Sequence, residues 1–425
     1  MEEESGNRFI YVKISKKERG NFLSSNHTED RLEIVDAIRG FALFGILLVN
    51  MAHFSYPDVY LNEIGESNFF TKNWNGADFM TRFLLDLFVQ TKFITMFSLL
   101  FGFGAVVMRE RVLRKGKMFV PVYIRRLFML FLFGLIHSFF IWDGDILTDY
   151  ALLGLILLLF QKSSGKTLLI WAAFFYLLYA FPLGILAAAE HDDVMYGSID
   201  QEYIERMEKE AEQSLQTYQK GGFADIFQRR IDDRLFYLSM SGLWPFHPLI
   251  YLLNMLPYLS MFLVGMAFAK QRLFHDPNKH MRLLKLVWIV GLLAGLPISA
   301  FSVAADHVYL IVGAPFLMLF YVISFIFLSF RPFFKKIICF LAPAGRMSLT
   351  NYILQSMICT FIFYNIGLGL YGKVGPFAGL LLSIAVFAVQ IIFSIVWFQH
   401  FRQGPLEWIW KTAAYLSAQP FRLRK

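Results

Sequence analysis

Long runs of apolar residues are the sequence feature that most constrains how this chain folds. Each run is about as long as the roughly 20 residues that a helix needs to cross a bilayer, and short charged segments separate the runs. Hydrophobic residues make up 57% of the sequence and charged residues only 17%, whereas soluble domains carry about a quarter charged residues. The predicted fold class is therefore all-α, a polytopic membrane helix bundle.

The apolar runs predict about ten transmembrane helices. Their expected bounds are 37–54, 83–108, 119–142, 146–160, 167–189, 249–269, 283–304, 307–330, 348–370 and 376–399. We expect three regions: a cytoplasmic segment 1–36 without the apolar core of a cleaved signal peptide, a transmembrane domain 37–400, and a cytoplasmic tail 401–425.

The polar segment 190–248 is predicted to be an external helical insert within the transmembrane domain, because it holds twelve acidic and six basic side chains. In its second half, an apolar stripe at helical spacing predicts an amphipathic helix that lies on the outer membrane surface or caps the bundle. The stripe consists of Phe223, Ile226, Phe227, Ile231, Leu235 and Leu238.

Basic residues concentrate in alternate connections, which predicts the orientation in the membrane. The connection 109–126 holds seven basic side chains and one acid, and 270–282, 331–347 and the C-terminal tail are also basic. Positive charge favours the cytoplasmic side, so both termini are expected there. The net charge of +8 is then explained by the basic cytoplasmic connections and by their contact with membrane lipids. We therefore expect no nucleic-acid partner.

One strongly hydrophobic stretch, GLIHSFFIWDGDILTDYALLG, holds a histidine and three aspartates but no lysine or arginine. Ionisable groups in spans are costly and often functional. We predict that His137 is catalytic, that Asp143 or Asp145 orients it, and that Asp149 belongs to a substrate-binding set. The alternative is that the aspartates only cap a turn and a helix N-terminus.

Further polar groups in the spans predict the rest of the site. Asn50, His53, Asp86 and Lys92 are expected to bind substrate, with Gln90 on the same helical face as Asp86. The alternatives are an Asp86–Lys92 ion pair that only specifies packing and a histidine that is simply hydrated. Gly102 and Gly104 are expected to end the second span and to allow close helix packing.

A polar opening is predicted at the cytoplasmic side, where a phosphate-bearing cofactor would contact Arg39, Arg346, Asn351 and Gln355. The alternatives are a helix-end pair of Asp36 with Arg39, and a helix cap with interhelical hydrogen bonds from the amides. The sequence contains no Walker motif, no GxSxG and no metal-ligand spacing, and Cys339 and Cys359 imply no disulfide framework. We therefore expect no metal cofactor.

Several ordered stretches resemble the YeiB-like family of bacterial inner-membrane proteins. They are VDAIRGFALFGILLVN, KFITMFSLLFGFG, RRLFMLFLFGLIHSFFIWDGDIL, GRMSLTNYILQS and FRQGPLEWIWK, and the resemblance spans residues 31–415. The family is grouped with transmembrane acyltransferases, which include heparan-α-glucosaminide acetyltransferases and bacterial surface-sugar O-acyltransferases. In those enzymes an acyl group from cytosolic acyl-CoA reaches a sugar across the membrane.

The resemblance implies a membrane acyltransferase that uses acyl-CoA, such as acetyl-CoA, and a small-molecule, glycan or lipid acceptor. The shared Arg-Gly signature matches Arg39-Gly40, whereas Asn50 stands where the O-acyltransferases have a catalytic histidine. The sugar acetyltransferases have a histidine before a Trp-Asn-Gly, and here no histidine lies between His53 and Trp74-Asn75-Gly76.

Two other functions remain open at this point. In a transporter or lipid-handling protein, His137, the nearby aspartates, Asp86 and Lys92 would form a proton or solute path. A non-catalytic membrane scaffold is the third reading, and a homodimer is compatible with each of the three.

Overall fold

The fold is a bundle of apolar helices with a small two-helix insert at one end. The computed structural model describes residues 33–61, 71, 73–189, 201–241, 247–304 and 310–423. The expected cytoplasmic segment 1–36 lies almost wholly outside these residues. The helices are α1 Glu33–Ser55, α2 Asp58–Leu61, α3 Gly76–Phe88, α4 Lys92–Arg114, α5 Phe119–Ile136, α6 Leu147–Phe160, α7 Gly165–Ala189, α8 Gln201–Lys220, α9 Phe223–Ser241, α10 Pro248–Lys270, α11 Met281–Ala304, α12 Leu310–Ser329, α13 Pro332–Arg346, α14 Ser348–Phe363, α15 Pro376–His400 and α16 Pro405–Tyr415.

Every predicted span corresponds to a helix, and the all-α membrane bundle is confirmed. Eight helices in the described residues are long and apolar enough to cross a membrane, and the number is nine if α13 and α14, which meet at a bend of 77°, count as one span. The remaining predicted span, α6, has only 14 residues. The span predicted over 348–370 ends earlier, at Phe363, and its first turn is capped by Glu407 of α16, which accepts hydrogen bonds from the amides of Leu349 and Thr350.

The second span differs from the prediction because its helix is broken. Helix α3 ends at Phe88, and Thr91 takes a left-handed φ of 66° before α4 begins. Gln90 therefore does not share a helical face with Asp86. The Lys92 Nζ donates to the main-chain carbonyl of Asp86 near the end of α3, 2.9 Å away.

Glycines bring two helix pairs into backbone contact. The helix α4 runs through Gly102 and Gly104, so our expectation that they end the span was wrong, but Gly102 does allow close packing. A Cβ on Gly102 would lie 1.9 Å from the Phe262 carbonyl oxygen of α10, and one on Gly345 of α13 would lie 1.9 Å from the Asp36 carbonyl oxygen of α1. Side chains larger than hydrogen cannot occupy these crossings.

The predicted insert is present as α8 and α9, and its buried face is charged. Ile226 is buried, but Phe223 of the predicted apolar stripe is 73% exposed. The side chains of α9 that enter the protein interior are Arg229, Arg230, Asp233 and Arg234. The insert thus caps the bundle through ion pairs and hydrogen bonds, because the loops beneath it present carbonyls and carboxylates. We call this end of the bundle the insert face and the opposite end the basic face.

Candidate functional site

The turn between α5 and α6 carries the predicted outer-rim site. The last turn of α5 widens into a π-helix over His137–Ile141, a local irregularity that is often found at functional sites. Trp142 then folds back over Gly144, where a Cβ would lie 2.4 Å from the indole ring. This packing leaves the side chains of Asp143 and Asp145 directed into the bundle, where both are buried.

His137 is brought together with Asp145, as the sequence predicted, and with a serine that sequence reasoning missed. Its Nδ1 lies 2.9 Å from Asp145 Oδ1, and its Nε2 lies 2.8 Å from Ser356 Oγ of α14. Asp145 also accepts hydrogen bonds from the amide and hydroxyl of Thr148. Burial alone would raise the pKa of Asp145, but its hydrogen bond and proximity to His137 hold the pKa below its usual value. His137 is fully buried.

His53, from the substrate-binding set, pairs with the second aspartate of the turn. His53 Nε2 lies 2.7 Å from Asp143 Oδ2. Burial acts to raise the pKa of Asp143, yet the neighbouring His53 imidazole, a main-chain hydrogen bond and Arg234 together lower it below its usual value. Trp142 contacts both imidazoles, with ring centroids 5.0 Å from His53 and 6.0 Å from His137. The His53 side chain is 19% exposed, so of the two histidines it is the one that reaches the surface of the bundle.

Helix α9 binds this turn through two arginine side chains, a contact that the sequence did not predict. Arg234 donates to the carbonyls of Asp143 and Asp145 and to the Thr148 hydroxyl, at 2.9, 3.3 and 3.1 Å. Arg230 donates to the Phe140 carbonyl. The usable signal was the i, i+4 repeat of charges in RRIDDR, which places basic and acidic side chains on one face of α9.

Asp233 fastens the insert to the bundle. Its carboxylate accepts hydrogen bonds from the hydroxyls of Tyr60 and Tyr218 and from Arg229 Nε, each at 2.7 Å. Burial raises the pKa of Asp233 to about 6, although Arg229 acts in the opposite direction. The charged side chains of α9 therefore attach the insert to the bundle and also bind the turn between α5 and α6.

The remaining predicted substrate-binding residues are not gathered at one point. Asp149 accepts a hydrogen bond from Tyr251 at 3.1 Å, and Asn50 is half-buried on α1. The Asp86 carboxylate pairs with Arg82 Nε at 2.9 Å, and Lys92 is fully buried. Asp86 lines a separate, mainly apolar cavity of about 80 Å³ that Arg82 and Gln90 also line.

A larger cavity of about 380 Å³ opens at the basic face, and two of the four predicted cofactor residues, Arg39 and Arg346, line it. Asn351 and Gln355 do not line it. Their amides donate to Ser394 and Gln390 across helix interfaces, which matches the interhelical alternative. The basic side chains of the cavity outnumber the acidic Asp36 and Glu407; they are Arg39, Arg111, Lys115, Arg126, Arg346, Arg402 and Lys411.

The cavity becomes apolar toward its inner end. Along α4 its lining extends from Arg111 to Phe97, which corresponds to roughly 21 Å at 1.5 Å per residue. Near that end the Phe101 ring packs against Tyr150 of α6, with centroids 5.4 Å apart. Tyr150 lies five residues after Asp145 on the helix that follows the histidine–aspartate turn. Neither His53 nor His137 lines it.

Gly134 allows α6 to approach α5 beside the site, and its replacement by alanine is a direct test of this packing. A Cβ there would lie 2.6 Å from the Thr148 amide nitrogen and 2.8 Å from Asp145 Oδ2. We expect Gly134→Ala to destabilise the purified protein by about 1–3 kcal/mol, measured by thermal unfolding in detergent. Gly184→Ala is the control, because nothing lies within 4 Å of its Cβ position. Equal thermal stability of both variants would contradict the tight contact.

Comparison with known proteins identifies similar chains of similar length. Residues 268–417 match a family described as "Protein of unknown function (DUF418)". The chain is 49% identical to "Uncharacterized protein YxaH" of Bacillus subtilis (strain 168), over 92% of this chain and 96% of that protein. It is 31% identical to "Uncharacterized protein YeiB" of Escherichia coli (strain K12), over 92% of this chain and 98% of that protein. No solved structure matches the chain significantly.

Proposed function

This chain belongs to the YeiB-like family of bacterial membrane proteins, and from that premise we propose that it is a membrane acyltransferase. The enzyme takes an acyl group from an acyl-CoA donor at the basic face and transfers it to a hydroxyl or amine acceptor at the insert face. The single observation that carries this proposal is the 380 Å³ cavity, which is lined by basic side chains and by Phe101, whose ring packs against Tyr150 of α6.

The charge of the cavity suits the donor. Acyl-CoA carries phosphate groups at one end and a thioester on a long uncharged arm at the other. Guanidinium groups bind phosphate through charge-assisted hydrogen bonds, and Arg39, Arg346 and Arg402 line the cavity. The apolar inner end, with Phe97 and Phe101, receives the arm and the acyl group.

His53 is the group best placed to activate the acceptor. Asp143 holds its Nε2–H at 2.7 Å, which directs the Nδ1 lone pair away from the carboxylate. A neutral imidazole so oriented removes the proton of the attacking hydroxyl or amine as the acyl group is transferred. The sequence predicts His137 as the catalytic residue, but full burial makes it less accessible to an acceptor than His53.

The orientation of the protein in the membrane follows from the basic side chains at one end of the bundle. Basic side chains gather at one end of the bundle, where Arg125 of α5 donates to the Ala414 carbonyl of α16 and Lys270 donates to the Gln161 carbonyl. By the positive-inside rule this end faces the cytoplasm, the compartment that contains acyl-CoA. The protein then resides in the bacterial inner membrane, with the insert on the outer side.

Donor binding tests the proposal directly. Acetyl-CoA is expected to raise the thermal unfolding temperature of the detergent-purified protein, because a ligand that binds only the native state stabilises it. Arg346→Gln should weaken acetyl-CoA binding about tenfold or more, since a hydrogen bond to a charged group contributes about 1.5–3 kcal/mol.

Arg282→Gln is the matched control for that variant, because Arg282 is an exposed basic residue outside the cavity lining. Its acetyl-CoA affinity should equal that of the wild type. No stabilisation by saturating acetyl-CoA, or equal affinities of the Arg346 and Arg282 variants, would remove the support for a donor site in this cavity.

Transport is the second candidate function, and the burial of several ionisable groups favours it. Asp149, Asp145 and His137 are buried along α6 and the end of α5, an arrangement that can carry protons. Proton-coupled uptake of a solute into proteoliposomes, without any response to acetyl-CoA, would select this function over acyl transfer.

A further inference from the structure

Ser356, His137 and Asp145 form a hydrogen-bonded line in the bundle interior. The Oδ2 of Asp145 is occupied by Thr148, so Oδ1 is the oxygen that faces His137 Nδ1. An ionised carboxylate only accepts hydrogen bonds, and this one therefore selects the imidazole tautomer with the proton on Nδ1. The lone pair of Nε2 then faces the hydroxyl of Ser356 at 2.8 Å.

The hydroxyl of Ser356 differs from that of an ordinary buried helical serine. Such serines usually donate to the carbonyl four residues earlier. Ser383 of α15 does so, at 2.8 Å from the Gly379 carbonyl oxygen. For Ser356 the corresponding distance to Tyr352 is 3.5 Å, much longer than the 2.8 Å to the imidazole. The geometry therefore directs the Ser356 proton to His137.

We propose that Ser356 is a nucleophile that accepts the acyl group from the donor thioester and holds it as an ester. The inference rests on the proposed acyltransferase function and adds a covalent intermediate to it. Serine, histidine and aspartate in this order of hydrogen bonds are the arrangement that activates serine in acyl-transfer enzymes on unrelated folds.

The proposed reaction has two steps, and the proton and acyl transfers in both involve only protein side chains and the two substrates. His137 Nε2 takes the Ser356 proton while Oγ attacks the thioester carbonyl carbon. The C–S bond breaks as the C–O bond forms, and the leaving thiolate receives the proton from His137 to give free CoA. In the second step His53 takes the proton of the acceptor as the acceptor attacks the ester carbonyl carbon. The C–O bond to Ser356 breaks as the new bond forms, and the same proton is returned to the leaving Ser356 oxygen, so that both histidines end neutral.

Helix α14 connects the donor cavity to this serine. Ser348 lines the cavity, and Tyr352 and Ser356 follow at one and two turns along the helix, so that Ser356 lies about 12 Å beyond Ser348. The Tyr352 ring packs on His137, with centroids 5.0 Å apart, and its hydroxyl donates to the Gly144 carbonyl. Tyr352 is thus the side chain that must move to admit a thioester.

Trp142 contributes a second observation that points to a ligand. Its indole is buried, and within the described part of the chain its Nε1–H has no hydrogen-bond partner. A buried donor left without a partner costs about 1–3 kcal/mol, so such groups call for an explanation. Because Trp142 contacts both His53 and His137, this N–H is available to the oxygen of an acyl group that passes between them.

Isotope exchange between acetyl-CoA and free CoA, without acceptor, tests the intermediate. We expect the wild type to catalyse this exchange and to carry an acetyl ester on the peptide that contains Ser356. Ser356→Ala should lose at least about 100-fold in exchange rate. The control is Ser383→Ala, which removes another fully buried serine whose hydroxyl donates to the Gly379 carbonyl of its own helix, and it should keep the exchange.

Cys359 lies on the same helix and would form a thioester if it were acylated by side reaction. Neutral hydroxylamine cleaves thioesters readily, so a stable label together with retained exchange in Cys359→Ser assigns the ester to Ser356. If Ser356→Ala fails to fold, Ser356→Cys replaces it, and its acetyl label should become sensitive to hydroxylamine.

The outcomes separate this inference from the proposed function. Acetyl transfer to an acceptor without exchange or acyl-serine would mean direct transfer, which overturns the Ser356 inference and leaves the acyltransferase in place. A label on His137, or full exchange in Ser356→Ala, overturns it as well. Absence of acetyl-CoA binding and transfer would overturn both.

Discussion

Replacing His53 by alanine is expected to lower acyl-transfer turnover by about 10²–10⁴-fold, the usual contribution of a positioned general base. The imidazole is held by Asp143 at 2.7 Å and remains partly exposed at the insert face. Asp143→Asn should lower turnover less, because the amide can still orient the ring but no longer stabilises the imidazolium form. Turnover is measured with acetyl-CoA and a soluble acceptor such as an amino sugar.

The same measurement separates catalysis from donor binding. Since His53 does not line the basic cavity, acetyl-CoA should stabilise His53→Ala as much as the wild type. His400→Ala is the control, because His400 is an exposed histidine at the end of α15. An unchanged turnover in His53→Ala, with His137→Gln inactive, would return the role of acceptor base to His137.

Local sequence patterns predicted the elements of the fold well, because the length of an apolar run decides whether a helix can cross a membrane. The same patterns predicted that a histidine and aspartates meet in the turn after α5, since Gly144 and the return of α6 follow from adjacent residues. His137 with Asp145 is the result. The break at Thr91 was missed, because an apolar composition does not reveal a left-handed residue within a span.

Contacts between distant segments could not be predicted in this way. His53 and Asp143 are 90 residues apart, and His137 and Ser356 are 219 apart, so only the packing of α1 and α14 against the turn brings them together. The amides of Asn351 and Gln355 show the same limit. Their shared helical face was recognised, but whether it meets the cavity or α15 depends on the rotation of α14 in the bundle.

The insert shows why an apolar stripe can mislead. On α9, four charged side chains are buried, whereas Phe223 of the apolar stripe is 73% exposed. Arg234 is the clearest case: a charged side chain, buried, that donates to the carbonyls of Asp143 and Asp145. Its guanidinium also lowers the pKa of both aspartates, although it contributes less than the histidines.

Arg234→Met is therefore expected to destabilise the protein by about 3–5 kcal/mol, the usual cost of removing one member of a buried charged cluster. Methionine fills much of the volume but removes the guanidinium donor to the Asp145 carbonyl and the Thr148 hydroxyl, and one of the two donors to the Asp143 carbonyl. Thermal unfolding in detergent measures the loss, and limited proteolysis should show earlier cleavage within α9 than in the wild type.

Arg206→Met provides the comparison, because Arg206 is an exposed arginine on the other helix of the insert. It should unfold at the wild-type temperature. Arg234→Lys should lie between the two, since an ammonium keeps the charge but cannot reproduce the forked contacts of a guanidinium. If Arg234→Met unfolds like Arg206→Met, the turn holds its shape without α9. The insert would then be a separate cap, and the histidine–aspartate pairs would depend on the transmembrane helices alone.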